Sequence, residues 1–275
     1  MALRFSKMHG IGNDFVVLDR RAEPGPLDPA LVRAIADRHT GVGFDQLLVL
    51  EPPRSAGSVA SYRIYNGDGS EARQCGNGLR CLVAWLDREQ PLQGAVRLDG
   101  PAGPVACERL ADGQVRADMG VPRFDPAAVP FVADARADTY PIEVAGEVLS
   151  IGIASMGNPH AVLEVADVDA APVARLGPAL ERHPRFPDRA NVGFAQVVDR
   201  HAIRLRVFER GAGETRACGS GACAAAAVLI ARGRVASPVA VTLPGGTLRI
   251  EWAGGEAPLW MAGPAAFVFE GTWNP

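Results

Sequence analysis

The stretch Ile64-Tyr65-Asn66-Gly67-Asp68-Gly69-Ser70-Glu71-Ala72-Arg73-Gln74-Cys75-Gly76-Asn77-Gly78 returns later in the chain as Val207-Phe208-Glu209-Arg210-Gly211-Ala212-Gly213-Glu214-Thr215-Arg216-Ala217-Cys218-Gly219-Ser220-Gly221. The copies align without a gap at a constant offset of 143 residues, with Glu, Arg, Cys and two Gly at matching places. Two further pairs keep a similar spacing. Gly12-Asn13 returns as Gly157-Asn158 at an offset of 145, and Val42-Gly43-Phe44-Asp45-Gln46 returns as Val192-Gly193-Phe194-Ala195-Gln196 at 150. Landmarks in one order at nearly one period indicate a duplicated lobe. The site is therefore expected between two lobes, with one cysteine from each.

The chain has 275 residues, room for one large domain or two small ones, and the duplication favours two lobes of similar size. Apolar content of 48% and charged content of 21% fit an ordinary soluble globular protein. A net charge of −3 without a Lys/Arg run argues against nucleic acid or an anionic membrane as partner. The longest apolar run, Ala222 to Ala231, is too short to span a bilayer, and the N-terminal residues lack the apolar core of a signal peptide. A cytoplasmic location is the resulting expectation.

Five cysteines, Cys75, Cys81, Cys107, Cys218 and Cys223, form an odd set without Cys-x-x-Cys spacing. Neither a structural zinc site nor a secreted disulfide framework fits that pattern, so reduced thiols and no metal are expected. His9, His39, His183 and His201 show no metal-ligand spacing and read as structural or solvated. Lys7 is the only lysine. Pyridoxal phosphate enzymes hold their cofactor on a lysine and P-loop proteins need Gly-Lys-Ser/Thr, so both classes are set aside.

Strand-like segments are expected at Leu3 to Met8, Phe15 to Asp19, Leu47 to Leu50, Tyr62 to Tyr65, Val96 to Leu98, Pro104 to Cys107 and Val115 to Ala117. A helical pattern opens at Pro29 and closes near Gly41. A second helix carries Leu79, Leu82, Val83 and Leu86 and stops before Pro91, which puts Cys75 just ahead of a helix. Met119 to Pro130, with three prolines, is the expected crossover. The second half repeats the plan: strands near Val148 to Ile153, Ala161 to Val165, Val192 to Val198 and Ile203 to Phe208, and a helix from Pro172 to Arg182. An Ala-rich helix then runs from Gly219 to about Arg232, and strands at Val239 to Leu243, Thr247 to Trp252 and Phe267 to Phe269 close the chain. Many short strands around one long helix per lobe indicate an α+β class.

Each lobe thus places Cys-Gly-x-Gly at a helix start. Unpaired backbone N–H groups there can hold a carboxylate and favour thiolate over thiol. Two such ends facing each other describe an anion cradle between two thiols. A carboxylic acid held there has a sulfur on each side of its α-carbon, as stereoinversion requires: one removes a proton and the other returns one to the opposite face. Cofactor-independent racemisation is the implied reaction class. For Cys81, Cys107 and Cys223 the expected role is core packing. Arg80 and Arg216 are as readily surface charges as functional groups and are left out of the candidate site.

Several stretches resemble the diaminopimelate epimerase family: Met8-His9-Gly10-Ile11-Gly12-Asn13-Asp14-Phe15, Gly43-Phe44-Asp45-Gln46, Cys75-Gly76-Asn77-Gly78-Leu79-Arg80-Cys81, Gly157-Asn158-Pro159-His160 and Glu209 to Thr215, with Cys218-Gly219-Ser220-Gly221. The resemblance implies two pseudo-symmetric lobes, each a mixed or antiparallel sheet or half-barrel around a central helix. It places an N-terminal lobe at 1–119, with or without 264–275, and a C-terminal lobe at 120–263, with the active site in the cleft. It implies conversion of LL- to meso-diaminopimelate for lysine and peptidoglycan synthesis, without cofactor or metal, by a homodimer. By the same resemblance Cys75 and Cys218 are the acid/base pair, and His160 and Glu209 tune their pKa values. Asn13, Gln46, Asn66, Gly76, Asn77, Asn158, Asn191, Glu209, Arg210, Gly219 and Ser220 are the implied substrate contacts.

Departures from the family pattern are Ser220, where threonine is expected, and Gly193 and Ala195, where glutamate and valine are common. At matched places of the repeat, Asn66 stands against Glu209, Gly67 against Arg210 and Phe15 against His160. The second lobe holds the ionisable members, which suits an asymmetric ligand whose far carboxylate Arg210 grips through paired bonds. The expected pairings are His160 with Cys75 and Glu209 with Cys218. A racemase of another amino acid, a thiol redox protein and a non-catalytic amino-acid binder are the alternatives.

Overall fold

The computed structural model describes residues 2–274. The chain forms two compact units, Met1–Asp118 with Ala262–Pro275, and Met119–Met261. Among the described residues, no helix is long and apolar enough to cross a membrane.

The first unit begins with β1 (Leu3–Gly10) and β2 (Asn13–Asp19), an antiparallel pair in which Gly10 opposes Asn13. The two-residue turn, Ile11 and Gly12, has positive φ at both places, 47° and 86°, as the right-handed twist of a tight hairpin demands. Helix α1 (Pro29–Ala36) carries the chain to β3 (Gln46–Glu51), which lies parallel to β2 with Phe15 opposite Gln46. The sequence pattern runs this helix on towards Gly41. It stops earlier because Asp37 Oδ1 accepts the His39 and Thr40 N–H groups, a local turn that competes with helix continuation.

Strand β4 (Ala60–Asn66) is antiparallel to β3, and β5 (Glu71–Ala72) folds back on it. Helix α2 (Gly76–Glu89) follows, then β6 (Ala95–Gly100), parallel to β4, and the antiparallel β7 (Gly103–Arg109) and β8 (Val115–Asp118). Alternation sets the two faces of the sheet. Phe15, Val17, Leu48 and Ile64 pack with Leu79, Leu82, Val83 and Leu86 of α2. Val16, Leu18, Leu47 and Val49 face the other way, onto Val32 and Ile35 of α1.

The second unit runs β9 (Tyr140–Val144), β10 (Glu147–Ser155), β11 (Pro159–Glu164), α3 (Val173–Glu181), β12 (Asn191–Asp199), β13 (Ala202–Glu209), β14 (Gly213–Thr215), α4 (Gly219–Ala231), β15 (Val239–Leu243) and β16 (Gly246–Glu251), and ends within β17 (Trp260–Gly263), whose last two residues belong to the first unit. Its pairings repeat those of the first unit: antiparallel β9–β10 and β10–β11, parallel β11–β12, antiparallel β12–β13 and β13–β14, parallel β13–β15, antiparallel β15–β16. The last strand, β18 (Ala266–Trp273), pairs antiparallel with β1 and stands to it as β9 stands to β10. The first unit is therefore closed by the C-terminal end of the chain.

Helix α4 is enclosed on nearly all sides, from Ala222 to Leu229. Its alanines and the bare Gly152 of β10 permit this. A Cβ at Gly152 would stand 2.4 Å from Val228 Cγ1. Strands β5, β9, β14 and β17 are absent from the sequence expectation. Three are very short, and β9 carries Pro141, a residue that marks a strand as improbable until its edge position is known.

Candidate active site

In the first unit Cys75 is the N-cap of α2, with φ −151° and ψ 103°, and its Sγ accepts the Gly78 N–H at 3.4 Å. The same sulfur lies 3.8 Å from Asn13 Oδ1 and donates to it. Asn13 Oδ1 also accepts from Asn77 Nδ2 at 3.2 Å, while Asn13 Nδ2 donates to Asp45 Oδ2 at 2.8 Å. Behind Asp45 stands an ionic cluster. Arg38 reaches Asp45 at 2.8 Å and grips both Asp14 oxygens at 3.0 and 2.7 Å, and Lys7 pairs with Asp14 and donates to the Gly43 carbonyl. Burial alone raises the Asp14 pKa, but hydrogen bonds and charge from Arg38 and Lys7 outweigh it and hold the carboxyl well below its usual range. The only lysine of the chain thus anchors the strand that carries Asn13. Gln46 and Asn66, opposite each other on β3 and β4, form their own pair at 3.0 Å.

In the second unit Cys218 is the N-cap of α4 and is 3% exposed. Its Sγ is 3.8 Å from Ser220 Oγ, which accepts from Asn158 Nδ2 at 3.3 Å. Asn158 Oδ1 is left to accept, and His160 Nε2 stands 2.9 Å from it, so that nitrogen carries the hydrogen. Burial, reinforced by the Arg210 charge, pushes the His160 pKa down to about 3, so the ring is neutral. A helix start predicts a depressed cysteine, but Cys218 is raised well above the ordinary thiol value. Burial is the chief cause, then the charge and hydrogen bond of Glu209, against which Gly221 N–H and Ser220 act only partly. Cys218 is a thiol in this state, suited to giving a proton. Glu209 also accepts from Thr215 Oγ1.

The turn that bears Arg210 is held by two side chains. Asn191 Oδ1 accepts the Arg210 N–H at 3.0 Å, and the buried Glu181 accepts the Gly211 N–H at 2.8 Å. The Arg210 side chain is exposed and donates to the Asp188 carbonyl at 2.9 Å. Gly76 and Gly219 open their helices with buried backbone. Each unit therefore gathers its own expected residues: Asn13, Cys75, Gly76 and Asn77 in one, Asn158, His160, Cys218, Gly219 and Ser220 in the other, with Gln46–Asn66 and Asn191–Glu209–Arg210 beside them.

Register corrects one sequence match. Phe15 opposes Gln46 and His160 opposes Asn191, so Gln46 corresponds to Asn191, not to Gln196. The Val-Gly-Phe match at offset 150 is not a structural equivalence. Gly193 instead lies beneath Leu205, whose Cδ1 would be 3.3 Å from an added Cβ. By contrast, the ion pairs Arg63–Glu71 and Arg206–Glu214 sit at the 143-residue offset and mark true counterparts. Of the two readings left open for Arg80, the surface charge is set aside: its side chain is fully buried. Asp45, Arg38, Lys7 and Glu181 are missing from the residues expected at the site because they act through other residues; the signals were the isolated Lys7 and the place of Asp45 within Gly43-Phe44-Asp45-Gln46. Cys81, Cys107 and Cys223 are buried as expected.

A model of the diaminopimelate epimerase family matches residues 5–124 and 152–268. A diaminopimelate epimerase of Xanthomonas campestris pv. campestris is 58% identical over 274 residues, covering 99% of this chain and 96% of the relative. One from Pseudomonas entomophila is 54% identical over 272 residues, covering 98% and 99%. Among solved structures, a hydroxyproline epimerase from Agrobacterium vitis shares the fold with a TM-score of 0.70 at 17% identity, over 98% of this chain and 92% of that one. With a matching family model over most of its length and relatives above half identity, the chain belongs to the diaminopimelate epimerase family.

Proposed function

We propose that this protein interconverts LL- and meso-2,6-diaminopimelate without pyridoxal phosphate or metal, by a two-base mechanism on Cys75 and Cys218. One cysteine, as thiolate, takes the α-proton, and the electron pair passes into the neighbouring carboxylate. The other, as thiol, returns a proton to the opposite face, and the pair ends with its protonation exchanged. The observation that carries the reading is the duplicated cysteine N-cap: each of the two central helices begins at a cysteine, within the same glycine setting. The mechanism requires both thiols to act on one α-carbon.

In this reading the helix starts at Gly76-Asn77 and Gly219-Ser220 receive the reacting carboxylate. Asn13, Gln46, Asn66, Asn158, Asn191, Glu209 and Arg210 hold the remainder, with Arg210 on the far carboxylate. His160 and Glu209 tune the thiols. The neutral His160 supports a role as a hydrogen-bond donor, and the raised Cys218 supports Glu209 as its partner. The product serves lysine and peptidoglycan precursor synthesis in the cytoplasm, and the working form is a homodimer. Reduced protein without added cofactor is incubated with LL-diaminopimelate in D₂O and followed by NMR. Deuterium in newly formed meso isomer, with early remaining LL substrate still protonated, is the expected result. Absence of both exchange and isomer formation under reducing conditions would refute the reading.

A further inference from the structure

Among the described residues Arg80 is the bulkiest fully buried side chain. Its guanidinium is directed at oxygens: Nη1 to the Gly76 carbonyl at 3.4 Å, Nη2 to Asn77 Oδ1 at 2.9 Å and Nε to the Pro264 carbonyl at 3.3 Å. An amide side chain has one accepting end and one donating end. Because Asn77 Oδ1 faces the guanidinium, Nδ2 faces away from it and donates to Asn13 Oδ1. Asn13 is pinned from its other end by Asp45, so its oxygen stands where the Asn77 amide and the Cys75 thiol meet.

The second unit shows the same contact without the arginine. At the 143-residue offset Cys223 replaces Arg80 and Ser220 replaces Asn77. There the bond runs the other way, from Asn158 Nδ2 to the Ser220 hydroxyl. The amides beside the two cysteines thus have different orienting partners: Arg80 on Asn77 and Asp45 on Asn13 in the first unit, His160 on Asn158 in the second.

We infer that Arg80 is a positioning residue for Cys75: it fixes the Asn77 amide and, through it, the Asn13 oxygen against which the thiol is set. A planar fork suits the task, since it meets several carbonyl oxygens at once where an ammonium is a point charge. Without Arg80 the Asn77 oxygen loses the charged donor set against it, and the bond from Asn77 Nδ2 to Asn13 Oδ1 is weakened. An Asn13 acceptor left more to the S–H and a lost cation both favour thiol over thiolate. The other ionisable groups around Cys75 stay in place: Asp45 and Arg38 behind Asn13, Asp14 and Lys7 beyond them, Tyr62 and Cys81 on the core side. The inference rests on the proposed role of Cys75 only for its consequence in turnover.

The test is alkylation of Cys75 by iodoacetamide as a function of pH, with each cysteine read separately by peptide mass spectrometry. It compares wild type, Arg80→Met, Arg80→Lys, Asn77→Ala and the Arg80→Met/Asn77→Ala double variant. Arg80→Met is expected to raise the Cys75 midpoint by about one pH unit, and Arg80→Lys by less. In the double variant the arginine change adds less than half of its effect alone. Cys81, Cys107 and Cys223 stay unreactive and so report an intact fold. An unchanged midpoint, or the same Arg80→Met shift with and without Asn77, overturns the inference. If Arg80→Met exposes the buried thiols, Arg80→Lys decides: a wild-type midpoint there overturns it equally. No substrate enters this measurement, so an absence of epimerase activity refutes the proposed function and leaves this inference standing.

Discussion

Gly221→Ala tests how tightly the start of α4 holds the Cys218 sulfur. The added methyl would stand 3.1 Å from Cys218 Sγ and 3.1 Å from Val207 Cγ2, 0.3 Å inside the 3.4 Å at which ordinary contact begins. Val207 is fully buried on β13 and stiff at χ1, so it gives little, and the thiol is the part that moves. A 1 Å misplacement of a reacting group can cost about 100-fold in rate, so 0.3 Å costs roughly fourfold. If the sulfur changes rotamer instead, the loss approaches the roughly 10²- to 10⁴-fold of a lost acid or base. Overpacking adds about 1–3 kcal/mol of destabilisation. The assay pairs kcat for diaminopimelate epimerisation with the thermal midpoint. The matched change in the first unit, Gly78→Ala, puts its methyl 2.9 Å from Leu48 Cδ2 and 3.3 Å from Phe15 Cε1, so its nearest contacts are apolar carbons. It is expected to cost stability with a smaller loss of kcat. A Gly221→Ala enzyme with wild-type kcat and thermal midpoint would refute the claim that backbone packing positions Cys218.

Three further outcomes follow from the titrating groups. Burial pushes Cys81 and Cys107 up to about 12, so the unfolded chain releases these protons first. Their stability contribution is whole below the unfolded thiol pKa near 8.5 and is lost as pH rises towards 12, by about 1.4 kcal/mol per pH unit for each thiol. Urea midpoints at pH 8 and pH 10.5 should differ accordingly, and equal midpoints would show that both thiols ionise in the native state. His160, lowered to about 3, should keep a constant imidazole NMR shift from pH 8 to pH 5, and a midpoint near 6.5 would contradict its burial. Since its folded pKa is depressed, its contribution to stability is lost as pH falls from 6.5 towards 3. Asp14→Asn strands Lys7, whose side chain is 10% exposed. It should cost about 2 kcal/mol in chemical denaturation, less than for a fully buried pair because Asp14 keeps 20% of its side-chain exposure. A stability within 0.5 kcal/mol of wild type, about the ordinary surface range, would show that the cluster is not structural.

The duplication, the two central helices and the cysteines at their starts were legible in the chain itself, because gap-free repeats, glycine turns and 3.6-residue periodicity are local properties. So was the lopsided distribution of Glu209, Arg210 and His160 against Asn66, Gly67 and Phe15. The false match of Gln46 to Gln196 shows where local likeness fails: only the strand register, set by pairing across the sheet, identifies Asn191 as the counterpart. The burial of Arg80 is not legible in the sequence because its neighbours there say nothing of Pro264, whose carbonyl reaches it from far along the chain. The direction of the Asn13–Asn77 bond, and its reversal at Asn158–Ser220, depends on which partners packing sets against each amide: Asp45 and Arg80 in one unit, His160 in the other. Helix-start electrostatics alone predicts a depressed Cys218. Tertiary structure reverses that, because burial removes the water that stabilises a thiolate and sets the carboxylate of Glu209 beside the sulfur.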